Sequence, residues 1–180
     1  MQQGARSTRS LVLDTSAFIA GFDPFAVANA IYTVPAVRQE LSSNSMIYTR
    51  FKTAIESGKL QVKAPRDSFL TQVDKSSKVV GDARFLSEVD KQVLALALEI
   101  QYHDANPLIV TDDYSIQNVA SQLGLEFAPL ATFGIRYRLD WVIYCPACHR
   151  EYPTDSKLKT CQACGTELKR KPLRKTQLRK

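Results

Sequence analysis

The sequence predicts an α/β fold in which a parallel sheet carries helices on both faces, followed by a small module that binds a metal ion. Short apolar runs alternate with longer helical patterns over roughly the first 130 residues. All four cysteines fall in one short window after that region, and an excess of positive charge accompanies them. The composition, 44% hydrophobic and 23% charged, is typical of a globular protein. No apolar run reaches the ~18 residues of a membrane-spanning helix.

The N-terminal elements follow from two apolar runs and one proline. Residues 11–13 form an apolar run that ends at Asp14, which predicts a buried strand. Residues 31–34 form a second run, rich in β-branched side chains, which predicts the next strand. Pro35 suits the first turn of a helix, because a helix has no partner for an N–H at that position. We expect this helix to continue to Leu41.

The middle of the chain adds two helices and a short strand. A helical pattern at residues 46–57 is closed by Gly58, a residue type that commonly ends helices. Residues 60–62 predict a third strand, which must end before a proline. Residues 67–79 show a weaker helical pattern, and residues 80–86 are typical of a loop.

The longest helix is predicted at residues 88–101, where apolar side chains recur with helical spacing and form one buried stripe. Residues 108–111 predict another buried strand, and a helix at residues 114–123 is stopped by Gly124. Residues 125–127 predict the last strand of this region. Because helices separate these strands along the chain, we expect the strands to pair in parallel.

The four cysteines form two CxxC pairs, separated by twelve residues and listed here in chain order: Cys145, Cys148, Cys161 and Cys164. Four thiolates at this spacing predict a tetrahedral zinc ribbon, with no open coordination position and therefore a structural role. A segment of about 36 residues buries too little apolar surface to fold alone, so bound metal would supply folding energy. Iron in a rubredoxin-like site uses similar ligands and stays open. Two disulfides are the other alternative.

These features divide the chain into three predicted parts. Residues 1–135 form the α/β domain, residues 136–168 the zinc ribbon and residues 169–180 a basic tail. Residues 141–144 predict a strand that leads into the first cysteine pair. The connection contains no Gly/Ser-rich linker, so we expect the two folded modules to pack together. The first ten residues contain no apolar segment typical of a secretory signal, which favours a cytoplasmic protein.

Positive charge is concentrated at the C-terminal end. The whole chain has 24 Lys and Arg against 18 Asp and Glu, a net charge of +6. Residues 145–180 contain ten of those bases and three acids, so this segment is +7 and the remainder is −1. Such asymmetry favours a polyanionic partner, the alternative being a solubilising tail. The candidate contacts to a polyanion are Arg150, Lys157, Lys159, Lys169, Arg170 and Lys171.

Acidic residues fall where an α/β sheet binds ligands, beyond the carboxyl ends of its strands. Asp14 ends the first strand, and Asp112 and Asp113 follow the strand at residues 108–111. Glu40 and Asp90 lie on helices, beside their apolar stripes. Carboxylates that converge without a cation between them repel each other, and the usual solution is Mg²⁺ or Mn²⁺.

Each of these acids also has a purely structural interpretation. Ser87 and Asp90 have the spacing of a capping box, and Asp113 suits the N-cap of the following helix. Asp14 can cap the turn that follows it, and Glu40 can be an exposed helical charge. Two aspartates at the ends of strands in one sheet are harder to explain in this way.

Four acidic segments resemble, in order, the motifs of PIN-domain nucleases. These segments are Asp14-Thr-Ser-Ala-Phe-Ile, Val34-Pro-Ala-Val-Arg-Gln-Glu40-Leu, Leu86-Ser-Glu-Val-Asp90-Lys-Gln-Val-Leu-Ala-Leu-Ala and Val110-Thr-Asp112-Asp113-Tyr-Ser-Ile-Gln-Asn-Val-Ala. The similarity runs from residue 11 to about residue 128. With the cysteine pairs and the basic end, the whole chain resembles the Nob-type endonuclease family, in its compact archaeal form. The resemblance therefore implies a PIN-type parallel sheet with a C-terminal zinc ribbon.

The resemblance also implies a set of site residues. It makes Asp14, Asp90 and Asp112 ligands of Mn²⁺ or Mg²⁺, with Glu40 as a further catalytic acid. Asp113 stays beside Asp112, because family members differ in which acid of this motif is used. Ser87 and Thr111 would be supporting hydroxyls.

The activity implied by the resemblance is hydrolysis of a phosphodiester in precursor small-subunit ribosomal RNA, which forms the mature 3′ end. The partners would be that RNA, the precursor of the small ribosomal subunit and other assembly factors, with the basic residues above contacting RNA. A toxin-type PIN ribonuclease is one alternative, although such toxins generally lack a zinc ribbon. A non-catalytic RNA-binding assembly factor is the other.

Overall fold

The computed structural model describes residues 9–103, 106–131, 137–156 and 158–177. The strands are β1 (Ser10–Leu13), β2 (Ile31–Thr33), β3 (Leu60–Val62), β4 (Pro107–Val110), β5 (Glu126–Ala128), β6 (Tyr137–Tyr144), β7 (Glu151–Tyr152) and β8 (Lys169–Gln177). The helices are α1 (Thr15–Ile19), α2 (Pro35–Glu40), α3 (Met46–Glu56), α4 (Asp67–Val80), α5 (Glu88–Tyr102) and α6 (Tyr114–Leu123), with a 3₁₀ turn at Pro24–Ala26.

The first five strands form one parallel sheet in the order β3-β2-β1-β4-β5. Strand β1 lies in the middle, and all four of its residues are buried. Burial on both faces explains why residues 11–13 of this strand are a continuous apolar run rather than an alternating pattern. The parallel α/β prediction is confirmed. Because β1 and β4 are direct neighbours, the residues that follow them meet at one edge of the sheet.

Helix α5 contributes most to the core of this domain, through the apolar stripe predicted from its spacing. Val93 and Leu94 are fully buried, and Leu96 is nearly so. Helix α1 was not predicted; Asp14 starts it by accepting hydrogen bonds from the backbone N–H groups of Thr15 and Ser16. This short helix therefore depends on the same aspartate that ends β1.

The C-terminal part forms a second, antiparallel sheet in the order β7-β6-β8. The predicted strand at residues 141–144 is longer than expected, since β6 spans Tyr137–Tyr144. Residues 169–177 are not a free tail: they form β8 and pair with β6 along its length. This strand was not predicted, because its residues are mainly charged and hydrophobic alternation is the main sequence signal for strands. The predicted domain boundary at residue 135 lies outside the described residues.

Backbone and side-chain contacts join the second sheet to the parallel-sheet domain. Asn118 of α6 donates a hydrogen bond to the carbonyl of Leu139 and accepts one from its N–H. Thr154 donates to the carbonyl of Lys78 near the end of α4. None of the helices that the structure describes is long and apolar enough to cross a membrane.

Candidate metal centres

Asp14 is a buried acid at the carboxyl edge of the parallel sheet, and several hydrogen bonds hold it. It is 4% exposed, and its carboxylate accepts hydrogen bonds from the Thr15 N–H at 2.6 Å and the Ser16 hydroxyl at 2.8 Å. The fully buried Thr111, which follows β4, donates a third at 3.0 Å. The carboxylate is thus oriented from both neighbouring strands, as expected if Thr111 supports it.

Glu40, the last residue of α2, reaches the same edge of the sheet. Its Oε2 atom accepts a hydrogen bond from the Thr15 hydroxyl. Thr15 itself follows Asp14 directly, so one short segment contacts both acids. Thr15 and Ser16 were not among the predicted site residues, although both belong to the Asp14 motif.

Asp90 caps helix α5, and its pKa is raised above the usual value of an aspartate. Its Oδ2 atom accepts a hydrogen bond from the Ser87 N–H at 2.7 Å, and its own N–H donates to the Ser87 hydroxyl at 3.1 Å. This capping box confirms the structural interpretation without excluding another role. Burial, followed by the negative charges of Asp14 and Asp113, raises the pKa of Asp90 to about 6. Asp90 therefore lies within the electrostatic field of both other acids.

The structure separates the two adjacent acids after β4. Asp112 turns its carboxylate toward a neighbouring loop, where it accepts hydrogen bonds from the N–H groups of Leu130 and Ala131. Asp113 caps α6 through Oδ1, which accepts from the N–H groups of Ser115 and Ile116. The negative charge of Asp113 acts on Asp90.

Contacts and charge effects connect four of the predicted acids, since Thr15 contacts both Asp14 and Glu40 and the charges of Asp14 and Asp113 act on Asp90. Such a set of oxygen donors, with hydroxyls that orient some of them, fits a hard divalent ion. Both histidines of the chain lie elsewhere: the His103 ring contacts Arg66, and His149 follows Cys148. The described residues at this edge present oxygen donors suited to a divalent ion and include no imidazole for acid–base catalysis.

The four cysteines form a compact thiol cluster. The Sγ atoms of Cys145 and Cys164 are 3.4 Å apart, and those of Cys148 and Cys161 are 3.5 Å apart. These distances exceed the S–S bond of about 2.05 Å, so the thiols are free and the disulfide alternative is excluded. In the described parts of the chain, only these four atoms form a set of candidate ligands that all lie within 4.8 Å. The acids at the sheet edge are spaced more widely.

The surroundings favour the thiolate form of two of the four cysteines, Cys161 and Cys164. The Arg150 backbone lowers the pKa of Cys148, but the neighbouring thiols of Cys161 and Cys145 outweigh it and raise that pKa to about 11. The Tyr152 hydroxyl lies 3.0 Å from Cys161 Sγ and lowers the pKa of that thiol to about 6, with help from backbone N–H groups. The Thr166 hydroxyl and N–H lower the pKa of Cys164. Four convergent sulfurs fit tetrahedral zinc, and their donor set also suits iron.

Comparisons with known proteins extend across both centres. A family model described as the PIN domain of ribonuclease matches residues 11–100. Endoribonuclease Nob1 of Methanocaldococcus jannaschii is 37% identical over 169 residues, which cover 94% of this chain and 80% of that protein. Endoribonuclease Nob1 of Methanothermobacter thermautotrophicus is 35% identical over 161 residues, 89% of this chain and 91% of that protein. The chain belongs to the Nob1 endoribonuclease family.

The two Nob1 matches quoted above cover more residues of this chain than a match to a ribonuclease of the VapC type. Ribonuclease VapC1 of Thermoplasma acidophilum is 41% identical over 122 residues, which cover 67% of this chain and 59% of that protein. The longest Nob1 match quoted must include all four cysteines, because it covers 94% of the chain. The toxin-type alternative is therefore the weaker one.

The basic residues predicted to contact a polyanion have different surroundings in this Nob1-family chain. Arg150, Lys159 and Lys169 are exposed on the ribbon. Lys171 forms an ion pair with Glu151 at 3.0 Å. Arg170 instead faces the parallel-sheet domain, where it forms an ion pair with the buried Asp82 at 3.1 Å. Lys157 lies outside the described residues.

Proposed function

We propose that this protein is a divalent-metal-dependent endoribonuclease that hydrolyses one phosphodiester bond in precursor small-subunit ribosomal RNA and forms its mature 3′ end. The proposal is supported by the match to Nob1 endoribonucleases over most of the chain, together with acids at the sheet edge whose charges act on Asp90. We place the enzyme in the cytoplasm, on the precursor of the small ribosomal subunit. Other assembly factors bound there are further candidate partners.

Asp14 and Asp90, with Asp112 or Asp113, would hold one or two Mg²⁺ or Mn²⁺ ions, and Glu40 would complete the set. Asp112 and Asp113 both stay candidates, because each carboxylate accepts backbone hydrogen bonds, and the charge of Asp113 acts on Asp90. A bound divalent ion supplies Lewis-acid chemistry that activates water and neutralises charge on the phosphate.

The protein's own groups orient these ligands. Thr111 and Ser16 hold Asp14, Ser87 holds Asp90, and the Thr15 hydroxyl holds Glu40. A carboxylate held in this way needs little rearrangement when an ion binds, which is the advantage of a preorganised site. With no imidazole at the sheet edge to deprotonate a ribose 2′-hydroxyl, water is the expected nucleophile. The expected products are a 5′-phosphate and a 3′-hydroxyl.

The zinc ribbon would position the RNA strand through its backbone phosphates. Arg150, Lys159 and Lys169 present exposed charges for this purpose, and Lys157 and Lys171 belong to the same basic segment. Contacts of this kind contribute affinity that falls as salt concentration rises, without reading base sequence. We assign zinc to the four cysteines in this proposal.

The test is cleavage of an RNA that spans the small-subunit 3′ boundary, with Mn²⁺ or Mg²⁺, followed by mapping of the cut. Asp14→Asn should abolish cleavage while RNA binding persists. Asp23→Asn is a matched control, since Asp23 also caps a short helical turn but lies outside the acidic cluster. Equal cleavage by wild type and Asp14→Asn, with binding intact, would overturn the catalytic assignment and favour a non-catalytic assembly factor. Cleavage of transfer or messenger RNA in preference to this substrate would favour the toxin-type alternative.

A further inference from the structure

Arg170 lies on the ribbon strand β8, and its side chain contacts both its own sheet and the parallel-sheet domain. Its guanidinium carbon lies 3.6 Å from the ring centre of Phe85 and 4.2 Å from that of Trp141. One of its nitrogens is 3.1 Å from Asp82 Oδ1. A planar cation held between two rings and paired with a carboxylate has a fixed position, unlike a solvated phosphate-binding arginine.

Asp82, the partner of Arg170, is nearly inaccessible, with a side-chain exposure of 2% against 32% for Arg170. Its other oxygen accepts a hydrogen bond from the Asn118 side chain at 2.5 Å. Asn118 also exchanges two hydrogen bonds with the backbone of Leu139 on β6, at 2.7 and 2.8 Å. Arg170, Asp82, Asn118 and Leu139 therefore form one polar network that crosses between the two modules.

This network lies next to the acidic cluster along the chain and in space. Asp82 belongs to the segment 81–86, which leads directly into the capping box of Ser87 and Asp90. Asn118 lies on α6, the helix that Asp113 caps. The negative charge of Asp113 also contributes to raising the pKa of Asp82, after burial as the main cause and against the effects of Asn118 and Arg170. The network thus contacts the segments that carry two of the four acids.

We propose that Arg170 is a positioning residue for the nuclease centre: the zinc ribbon uses it to hold segment 81–86, and through that segment the Asp90 carboxylate, in its active arrangement. The inference rests on the proposed nuclease function and assigns the ribbon a second task besides binding RNA. Without the cation, the buried Asp82 carboxylate would lack its ion pair and repel Asp113, and the segment would rearrange to expose it.

The alternative is that Arg170 only binds RNA phosphates, as its position in a basic segment suggests. The two roles differ in which kinetic constant they change. Loss of a phosphate contact raises KM and weakens the salt dependence of binding. Loss of positioning lowers kcat at saturating RNA, because a displacement of about 1 Å can reduce the rate up to about 100-fold.

The experiment compares Arg170→Gln with Arg174→Gln in the zinc-loaded full chain. Arg174 is an exposed arginine on the same strand, so this control removes the same charge without touching segment 81–86. We expect Arg170→Gln to lower kcat at least about tenfold with KM changed less than about twofold. Arg174→Gln should keep the wild-type kcat. A rise in KM with kcat unchanged in Arg170→Gln would overturn the proposal in favour of phosphate binding.

Amide hydrogen exchange supplies a measurement that does not depend on cleavage. Arg170→Gln should speed exchange in residues 81–90, whereas Arg174→Gln should not. If neither wild type nor the variants cleave RNA, but exchange in residues 81–90 is faster in Arg170→Gln than in Arg174→Gln, the nuclease assignment fails and the coupling between the two modules stands. If exchange there is unchanged, the positioning role is refuted. Should Arg170→Gln lose zinc or fail to fold, Asp82→Asn tests the connection from the other side. It removes the attraction between Arg170 and segment 81–86, keeps an oxygen for Asn118 and leaves no unpaired carboxylate, so exchange in residues 81–90 should again speed up.

Discussion

Replacing Gly81 by alanine should destabilise the protein through its contact with the ribbon. Gly81 ends α4 with φ +79°, a backbone conformation that glycine adopts readily. A Cβ atom there would lie 2.8 Å from the carbonyl oxygen of Trp141 and 2.9 Å from its Cβ atom. Neither atom is the end of a flexible side chain, so β6 itself would have to move.

The expected loss has two parts. Left-handed backbone in a residue other than glycine costs about 1–2 kcal/mol. Forcing extra atoms into a packed contact adds about 1–3 kcal/mol. Gly81→Ala should therefore lower the free energy of unfolding by about 2–5 kcal/mol.

Gly124→Ala separates the two parts. Gly124 ends α6 in the same left-handed conformation, with φ +71°, and an added Cβ would meet nothing within 4 Å. It should lose only the backbone term of about 1–2 kcal/mol. Urea unfolding of the zinc-loaded variants, compared at unchanged slope, measures both losses. Equal losses for Gly81→Ala and Gly124→Ala would refute the close packing of the ribbon against α4.

Three further predictions concern the acidic centre and the thiol cluster. The pKa of Asp90 is raised to about 6, so the folded state without divalent ions should lose stability as pH rises from about 4 through 6. Asp90→Asn removes this charge. It should therefore unfold at a higher temperature than wild type at pH 8, but not at pH 4. Zinc analysis should find one ion per chain. Tyr152→Phe removes the hydroxyl beside Cys161 and should weaken zinc binding by about 10–100-fold, measured by competition with a chelator. Tyr144→Phe, the control, should leave zinc binding unchanged. End analysis of the cleaved RNA should find a 5′-phosphate and a 3′-hydroxyl, and a 2′,3′-cyclic phosphate would contradict water as the nucleophile.

Most of the fold could be predicted from patterns of residues that are close together in the sequence. The apolar stripe of α5 and the runs that became β1 and β4 are set by periodicity and composition, which depend on near neighbours in sequence. The thiol cluster could be predicted equally well, because all four ligands of this metal site lie in one short segment of the sequence. Strand β8 was missed because its residues are mainly charged, and it is a strand only because β6 offers a pairing edge.

The parallel α/β domain, the order of the acidic motifs and the thiol cluster could all be predicted without coordinates, since each depends on spacing within a short stretch of chain. Tertiary packing places the Leu130 and Ala131 backbone beside the Asp112 carboxylate and brings the charge of Asp113 to bear on Asp90, because the direction of a side chain depends on what packs around it. The same holds for Arg170, which looks in sequence like any other base of its segment. Its partner Asp82 is 88 residues away, and only the docking of the two modules brings that buried carboxylate within reach.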